Sequence, residues 1–363
     1  MYRWTSPHPA LSGVSCALSP FGPNKCLLSV IVRNEAPYLV EWATYHYAMG
    51  FREIVVFSNF CDDLSDILLD RLDDLGIVRH RPHPCVMFPQ IGQIQISALR
   101  LTTLLGQFKA SDFMMMIDLD EFLEVCVGDH DLASFFASVP DFEVASFAVR
   151  GRNAEDKRFI ENGEVLSRFL QSSWANMDRT GDGDSVVCAV KSLARSRLTR
   201  GFHRNHRPMI AKFSTSGKRW INGAGSDMGP DFTDRRASSI RLSGPKQLAL
   251  VNHYSIRSAE SFMVKAQRGN ASGAARLGMT DVAMANTLKY WTSRNTPPQV
   301  RHDPPHEPPG FRALLDFVRS DPIIADLEAR ALAIHRERAA LGYGTDLGRK
   351  LADLIGYAPP GPS

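Results

Sequence analysis

The sequence predicts an α/β protein with a mainly parallel central sheet and a small helical appendage at its C-terminal end. Three observations carry this expectation. From Leu27 onward, short β-branched runs alternate with stretches of helical periodicity, the pattern of βαβ units. The run Phe113 to Ile117 is apolar throughout, as a strand covered on both faces must be. Six prolines in the fifteen residues from Thr296 to Gly310 then separate this alternation from further helical segments. The expected organisation is an N-terminal extension over 1–25, a main domain over 26–275, and a Pro-rich linker with helices over 276–363.

The elements follow in order. Leu27 to Val32 is the first strand, followed by Arg33-Asn34-Glu35 and by Pro37 at a helix start, where the missing amide costs nothing. Leu39, Trp42, Ala43, His46 and Met49 recur at three- and four-residue steps until Gly50, so this helix buries one stripe and His46 reads as a core histidine. Glu53 to Phe57 is a second strand. After Ser58-Asn59-Phe60-Cys61-Asp62-Asp63, with Asp63 as the expected N-cap, comes an amphipathic helix carrying Leu64, Ile67, Leu68, Leu72 and Leu75. A short strand over Ile77 to Arg81, a helix over Ile91 to Phe108, the strand Phe113 to Ile117 and a strand between Phe142 and Val149 complete the regular part. Beyond the proline segment, Asp321-Pro322 starts a helix by the N-cap and N1 rule, and Thr345 to Ile355 forms another.

Composition narrows the function classes. The 363 residues are 44% hydrophobic and 22% charged, with a mean hydropathy of −0.18, which excludes disorder, collagen and a membrane bundle. Forty-two Lys and Arg against thirty-nine Asp and Glu leave +3, too little to predict a polyanion-binding protein from bulk charge. Cysteines at 16, 26, 61, 85, 126 and 188 form no CxxC pair, which suits free thiols in a reducing compartment. The first twenty-five residues hold four prolines and no signal-length apolar run, and the longest such run, Cys26 to Val32, is strand-sized. The expectation is a cytoplasmic protein, with peripheral association at the inner face of a membrane still open.

Chemistry concentrates at two places. Asp118 and Asp120 sit at the carboxyl end of the buried strand, the edge where open α/β sheets bind ligands. At i and i+2 their side chains project to one side. Two close carboxylates repel, so a divalent cation held against a phosphate is the natural use, against helix-capping or solvated loop acids as the plainer one. An apolar strand ending in D-x-D also resembles haloacid-dehalogenase phosphatases, with Asp118 as nucleophile. However, Phe122 stands where those enzymes carry a small or hydroxyl residue, and roughly ninety residues of βαβ alternation precede the motif.

The second place is His253-Tyr254-Ser255-Ile256-Arg257-Ser258-Ala259-Glu260-Ser261-Phe262-Met263-Val264-Lys265-Ala266-Gln267-Arg268-Gly269. With R-N-E at 33–35, E-W-x-x-x-H at 41–46, N-x-C-x-D at 59–63 and D-L-D-E-F at 118–122, it resembles the glycosyltransferase family 2-like proteins and their family 92 relatives. The resemblance runs over about residues 26 to 270 and implies a GT-A, Rossmann-like nucleotide-sugar-binding domain. It further implies transfer of a sugar from a nucleotide-diphosphate donor, a UDP-sugar, to a glycan or lipid-linked acceptor, with inversion and with Mn²⁺ or Mg²⁺.

On that reading Arg33, Asn34, Glu35, Asn59, Asp63 and Asp118 line the donor pocket, joined by Lys191 of a K-S pair and the later His203. Asp118, Asp120 and His253 hold the metal, and Asp120 counts among the catalytic residues. Ser58 and Cys61 depart from the Asp and Ser usual in the second loop, and Arg257 replaces a Lys. His253 reads equally as a histidine bonded within the core. Lys265 and Arg268, three apart on one helix face, either meet the diphosphate or form a solvated basic face. The acceptor base is placed at Asp227, with Glu164 and Asp184 as alternatives.

Other signals point elsewhere. Lys191 to Arg219 holds nine Lys or Arg and no acid, yet only Phe202 and Phe213 interleave, so a phosphate- or acceptor-facing loop is expected and no nucleic-acid partner. His302-Asp303-Pro304-Pro305-His306 has ligand-type residues inside the proline segment, without an evident scaffold to fix their geometry. Gly181-Asp182-Gly183-Asp184 lacks the spacing of a calcium loop and reads as a turn. A non-catalytic nucleotide- or sugar-binding protein is the remaining alternative.

Overall fold

The computed structural model describes residues 9–11, 13–14, 22, 24–88, 92–154, 157–172, 186–201, 206–208, 210, 213–233, 239–242, 246–268, 278, 280–295 and 300–359. The first half runs β1 (Cys26–Val32), α1 (Leu39–Met49), β2 (Glu53–Ser58), α2 (Ser65–Asp74), β3 (Arg79–Pro82), α3 (Ile94–Thr102), α4 (Gly106–Ala110), β4 (Phe113–Met116), β5 (Glu121–Val125), α5 (Leu132–Ser138) and β6 (Val144–Gly151). It continues with β7 (Gln171–Ser172), β8 (Val186–Arg195), β9 (Trp220–Asn222), α6 (Pro230–Thr233), β10 (Ser239–Leu242), β11 (Ala249–His253), α7 (Ala259–Arg268) and α8 (Asp281–Asn295). After β12 (Val300–Arg301), the chain ends in α9 (Phe311–Arg319), α10 (Pro322–Tyr343) and α11 (Asp346–Ile355).

The main sheet has the order β3-β2-β1-β4-β8-β6-β11-β5, with β10 on β8 and β9 on β6. Strands β3, β2, β1 and β4 are parallel neighbours, the block expected from the βαβ pattern. The remainder is mixed: β8 is antiparallel to β4 and β6, β6 and β11 are parallel, and β5 is antiparallel to β11. β5 follows β4 after only a short turn, yet it pairs with a strand 128 residues later. D-L-D-E-F therefore straddles a turn and a strand.

Two expected elements differ. The helix expected over Ile91 to Phe108 is broken into α3 and α4 by a turn in which Thr103 N, Leu104 N and Leu105 N bond back three residues. Asp63 does not cap α2; Leu64 in the left-handed region occupies that position. Asp63 accepts from Ser65 N (3.0 Å), Ser65 Oγ (2.6 Å) and Ala36 N (3.0 Å), so it ties the start of α2 to the loop after β1.

The E-W-x-x-x-H helix holds β5 in place. Trp42 Nε1 donates to Glu121 O (2.9 Å) and Tyr45 Oη to Leu123 O (2.8 Å). His46, fully buried, donates from Nδ1 to Trp42 O (2.9 Å) and accepts Leu123 N at Nε2 (3.4 Å). Burial pulls its pKa down to about 3, so it is neutral and structural. The helices beyond the proline segment share this core: Phe311, Leu314, Leu315, Val318, Ile324, Leu327 and Ala331 join the cluster of Leu39, Trp42, Tyr45 and Phe122.

Glu41 is the odd member of that helix. Its carboxyl is buried and accepts Val165 N (2.8 Å) and Leu166 N (3.3 Å). Gly163, at φ +83°, lets this loop approach closely, because a Cβ there would collide with Pro37 O. Burial, only partly offset by the two amides, raises the Glu41 pKa from 4.5 to about 7. With the folded value above the unfolded one, the stability tied to the proton is complete below about pH 4.5 and lost as pH rises through about 7. Glu41→Gln removes the charge and keeps one acceptor oxygen for the two amides, so it costs one of these bonds at every pH. Its stability relative to wild type should therefore rise with pH, by up to about 3 kcal/mol between pH 4.5 and 8; a difference that does not change with pH would refute the account.

Candidate active site at the switch point of the sheet

The strand order reverses between β1 and β4, because the chain runs from β1 outward to β2 and β3 and then returns to β4 on the other side. Such a point opens a crevice beyond the carboxyl ends of the two strands. Here those ends carry Arg33-Asn34-Glu35 and Asp118-Leu119-Asp120. The sequence-expected carboxylates and the R-N-E segment therefore face one crevice.

Asp118 is the open carboxylate, its side chain 37% exposed. Gln95 Nε2 donates to its Oδ1 (2.7 Å) and Lys191 Nζ to its Oδ2 (2.9 Å). Lys191 also pairs with Glu121 (2.8 Å), whose other task is to accept Asp118 N (2.9 Å). Lys191 and Glu121 have side chains only 1% and 3% exposed. Burial lowers the Lys191 pKa, but Asp118 and Glu121 outweigh it and hold the ammonium charged. At Glu121 burial wins over Lys191 and the pKa is raised.

Asp120 is buried. His253 Nε2, at the end of β11, lies 3.3 Å from its Oδ1, and Lys265 Nζ, on α7, 3.1 Å from its Oδ2. Burial opposes ionisation, yet Lys265 and then His253 hold Asp120 well below the usual carboxylate range. In return Asp120 overcomes the burial of His253 and pushes its pKa up to about 9. Lys265 also donates to Ser255 O (2.8 Å) and touches Tyr290 Oη (3.4 Å).

Beside this pair lies a small pocket lined by Asn34, Glu35, Tyr38, Arg257, Lys265 and Arg268 among others. Glu35 receives Arg257 (3.0 Å) and Arg268, and Arg268 further bonds the carbonyls of Arg33 and Asn34. Burial raises the Glu35 pKa, but Arg257 and Arg268 bring it below normal. Three guanidinium nitrogens, Arg33 Nε, Arg257 Nη1 and Arg268 Nε, are buried here or nearby without a hydrogen-bond partner among the described residues. Unspent cationic donors at a sheet switch point suit an anionic ligand.

Not every expected residue joins this set. Asp227 is 70% exposed, pairs with Arg219 (3.5 Å), and belongs to a hairpin whose Gly223 carbonyl binds Leu248 and Ala249 at the start of β11. His253 lies at the other end of that strand, so Asp227 is placed away from Asp120. Glu164 is engaged by Arg319 (2.6 Å) and Arg312 (3.5 Å) of the C-terminal segment. Asp184, His203 and the 181–184 turn lie outside the described residues. Asn59 is buried at the end of β2, its N–H on Val32 O (3.0 Å). Asn34 Oδ1 accepts Asp62 N (2.9 Å) and so shapes the loop.

Asp118, Asp120 and His253, two carboxylates and an imidazole, have the chemistry of a divalent-cation donor set, but among the described residues it is Glu124, Cys126 and His306 whose three ligand atoms lie within 4.8 Å of one another. His253 Nε2 and Asp120 Oδ1 already face one another, and Lys191 and Lys265 place positive charge on the same two carboxylates where a cation would add its own.

Residues 26–205 match the family model described as glycosyltransferase family 92. This segment is a glycosyltransferase family 92 domain. No curated protein matches the chain. Among solved structures, residues 1–349 of S. aureus TarS in complex with UDP match at 13% identity over 48% of either chain, with a TM-score of 0.27. The same protein with UDP-GlcNAc matches at 11% identity over 91% of this chain and 84% of that one, with a TM-score of 0.32. Glucosyl-3-phosphoglycerate synthase of Mycobacterium tuberculosis matches at 14% identity, covering 49% and 59%, with a TM-score of 0.27. The chain spans only 48% of the UDP-bound TarS chain and 59% of the synthase chain.

Within the family 92 domain, Asp118, Asp120 and Lys191 come together with His253, Lys265 and Arg268 from beyond its matched end. Reading the sequence overlooked Glu121, Gln95, Arg257 and Tyr290 as members of the site. For Glu121 the signal was available: an acid one place after D-x-D, opening a strand buried on all sides, needs a cation. For Gln95 and Tyr290 no local signal existed, because each arrives from a helix distant in sequence. No helix among the described residues is long and apolar enough to cross a membrane.

Proposed function

We propose that the chain transfers a sugar from a nucleoside diphosphate donor, a UDP-sugar, to a hydroxyl of a glycan or lipid-linked acceptor, with inversion. The observation that carries this reading is the switch-point crevice, where Asp118 and Asp120 stand beside Arg257, Lys265 and Arg268. Arg33-Glu35 and the end of β2 bound the nucleotide side. Arg257, Lys265 and Arg268 face the diphosphate, and the unspent donors of Arg257 and Arg268 take its oxygens as negative charge grows on the leaving group. Lys191 and Glu121 fix the Asp118 carboxylate and backbone, so its orientation does not depend on the ligand.

Asp118, Asp120 and His253 would hold Mn²⁺ or Mg²⁺. Bound there, the ion would supply positive charge against the departing diphosphate. The acceptor hydroxyl enters from the open side of Asp118. Peripheral contact with a membrane follows only if the acceptor is lipid-linked.

Thermal melting with UDP, GDP and CMP, each with and without Mn²⁺, tests the reading. UDP should raise the melting temperature more with Mn²⁺ than without, through linkage to the folded state. If none of the three shifts it under either condition, the donor assignment is wrong.

A further inference from the structure

A second constellation lies at the opposite end of β5 from Glu121. Glu124, Cys126 and His306 place one carboxylate oxygen, one thiol sulfur and one imidazole nitrogen within 4.8 Å of one another. Glu124 is the last but one residue of β5, Cys126 follows the strand, and His306 comes from the proline segment. That segment has the ligand-type residues whose missing scaffold spoke against a metal in the sequence. The structure supplies the scaffold.

His306 is held on both sides of its backbone, with N–H on Glu124 Oε1 (3.2 Å) and C=O accepting Tyr45 Oη (3.2 Å). Its ring stacks on His130, centroids 4.2 Å apart, and His130 in turn donates from Nδ1 to Val125 O (3.0 Å). The Cys126 amide donates to Leu248 O (2.7 Å), and Cys126 is in no disulfide. Arg150 (2.8 Å) and Asn252 (2.7 Å) both take Glu124 Oε2, which leaves Oε1 aimed at His306 Nδ1 (3.0 Å). Outer partners that orient a ligand in this way are the usual support of a metal site.

We infer that Glu124, Cys126 and His306 bind a zinc ion that fastens the proline segment to the end of the sheet. A mixed set of S, N and O suits Zn²⁺ over Mg²⁺ or Ca²⁺, which take oxygen. Tetrahedral zinc keeps such atoms roughly 3.3–3.8 Å apart, so small side-chain adjustments from the present spacing complete the site. Binding forms the S–Zn bond with release of the thiol proton and of the proton His306 shares with Glu124. The fourth position opens toward a cavity of about 410 Å³ lined by Arg150, Lys246, Gln247 and Arg301 among others, where water would fill it.

The test is cobalt substitution in the full-length protein. Co²⁺ should produce a thiolate-to-cobalt absorption band that saturates at one equivalent and is bleached by Zn²⁺. Asp118, Asp120 and His253 contain no sulfur and cannot produce it. Cys126→Ser should abolish the band, and His306→Gln should weaken Co²⁺ binding at least about tenfold. Both variants are checked for wild-type circular dichroism. If Cys126→Ser does not fold, His306→Gln decides, since its side chain is 45% exposed. No band in the wild type, a band that survives Cys126→Ser, or unchanged affinity in His306→Gln overturns the inference.

Discussion

Asp120→Asn should lower turnover about 10²- to 10³-fold while leaving the fold intact, measured as UDP released from a donor that the wild type consumes. The substitution keeps the shape of the side chain, and the Asp120 carbonyl goes on accepting Tyr254 N (2.7 Å). What disappears is the one charge on which His253 and Lys265 converge. With it goes the main cause that holds the imidazole protonated, as well as the buried carboxylate that a cation would need. The loss should appear in kcat more than in KM for the nucleotide, because Arg257 and Arg268 remain on Glu35. Turnover within a factor of three of wild type would remove Asp120 from the chemistry.

Lys191→Met should cost about 3–5 kcal/mol of stability by urea unfolding, the largest single loss expected in this protein. The ammonium is shut away from water and serves two carboxylates, Asp118 at 2.9 Å and Glu121 at 2.8 Å. Asp118 can turn to solvent once its partner is gone. Glu121 cannot, and a buried carboxylate without a cation must either keep its charge unpaired or take a proton. The double variant Lys191→Met/Glu121→Gln should therefore recover most of the loss, since removing both members of a buried pair is often near neutral. If the double variant is as unstable as the single one, the loss comes from packing and not from the stranded charge.

The parallel block of the sheet could be read from the sequence because each strand and its crossover helix are local. The charged residues at strand ends could be read for the same reason: Asp118 and Asp120 follow an apolar run that allows only one placement. β5 could not, because its pairing partner is β11, and no short-range pattern announces an antiparallel return. The break between α3 and α4 rests on three-residue backbone bonds that the apolar periodicity masks. The polar, glycine-containing neighbourhood that points to Asp227 in the sequence is polar because it is an exposed hairpin, fixed to β11 through Gly223. Lys265 and Arg268 were placed on one helix face by spacing, and the structure gives that face its partners, Asp120 and Glu35.

The way α9 and α10 complete the core bears on how the chain folds as it is made. Tyr45 donates to the carbonyl of His306, 261 residues further on, and its ring meets Phe311 at 5.3 Å. On the ribosome α1 therefore waits with one apolar flank uncovered until the chain beyond Phe311 has emerged. Contacts of such long sequence separation form late and slowly, and the waiting surface is open to association meanwhile. Chains that stop before Phe311 should accumulate as aggregates even though they contain every residue of the 26–205 segment.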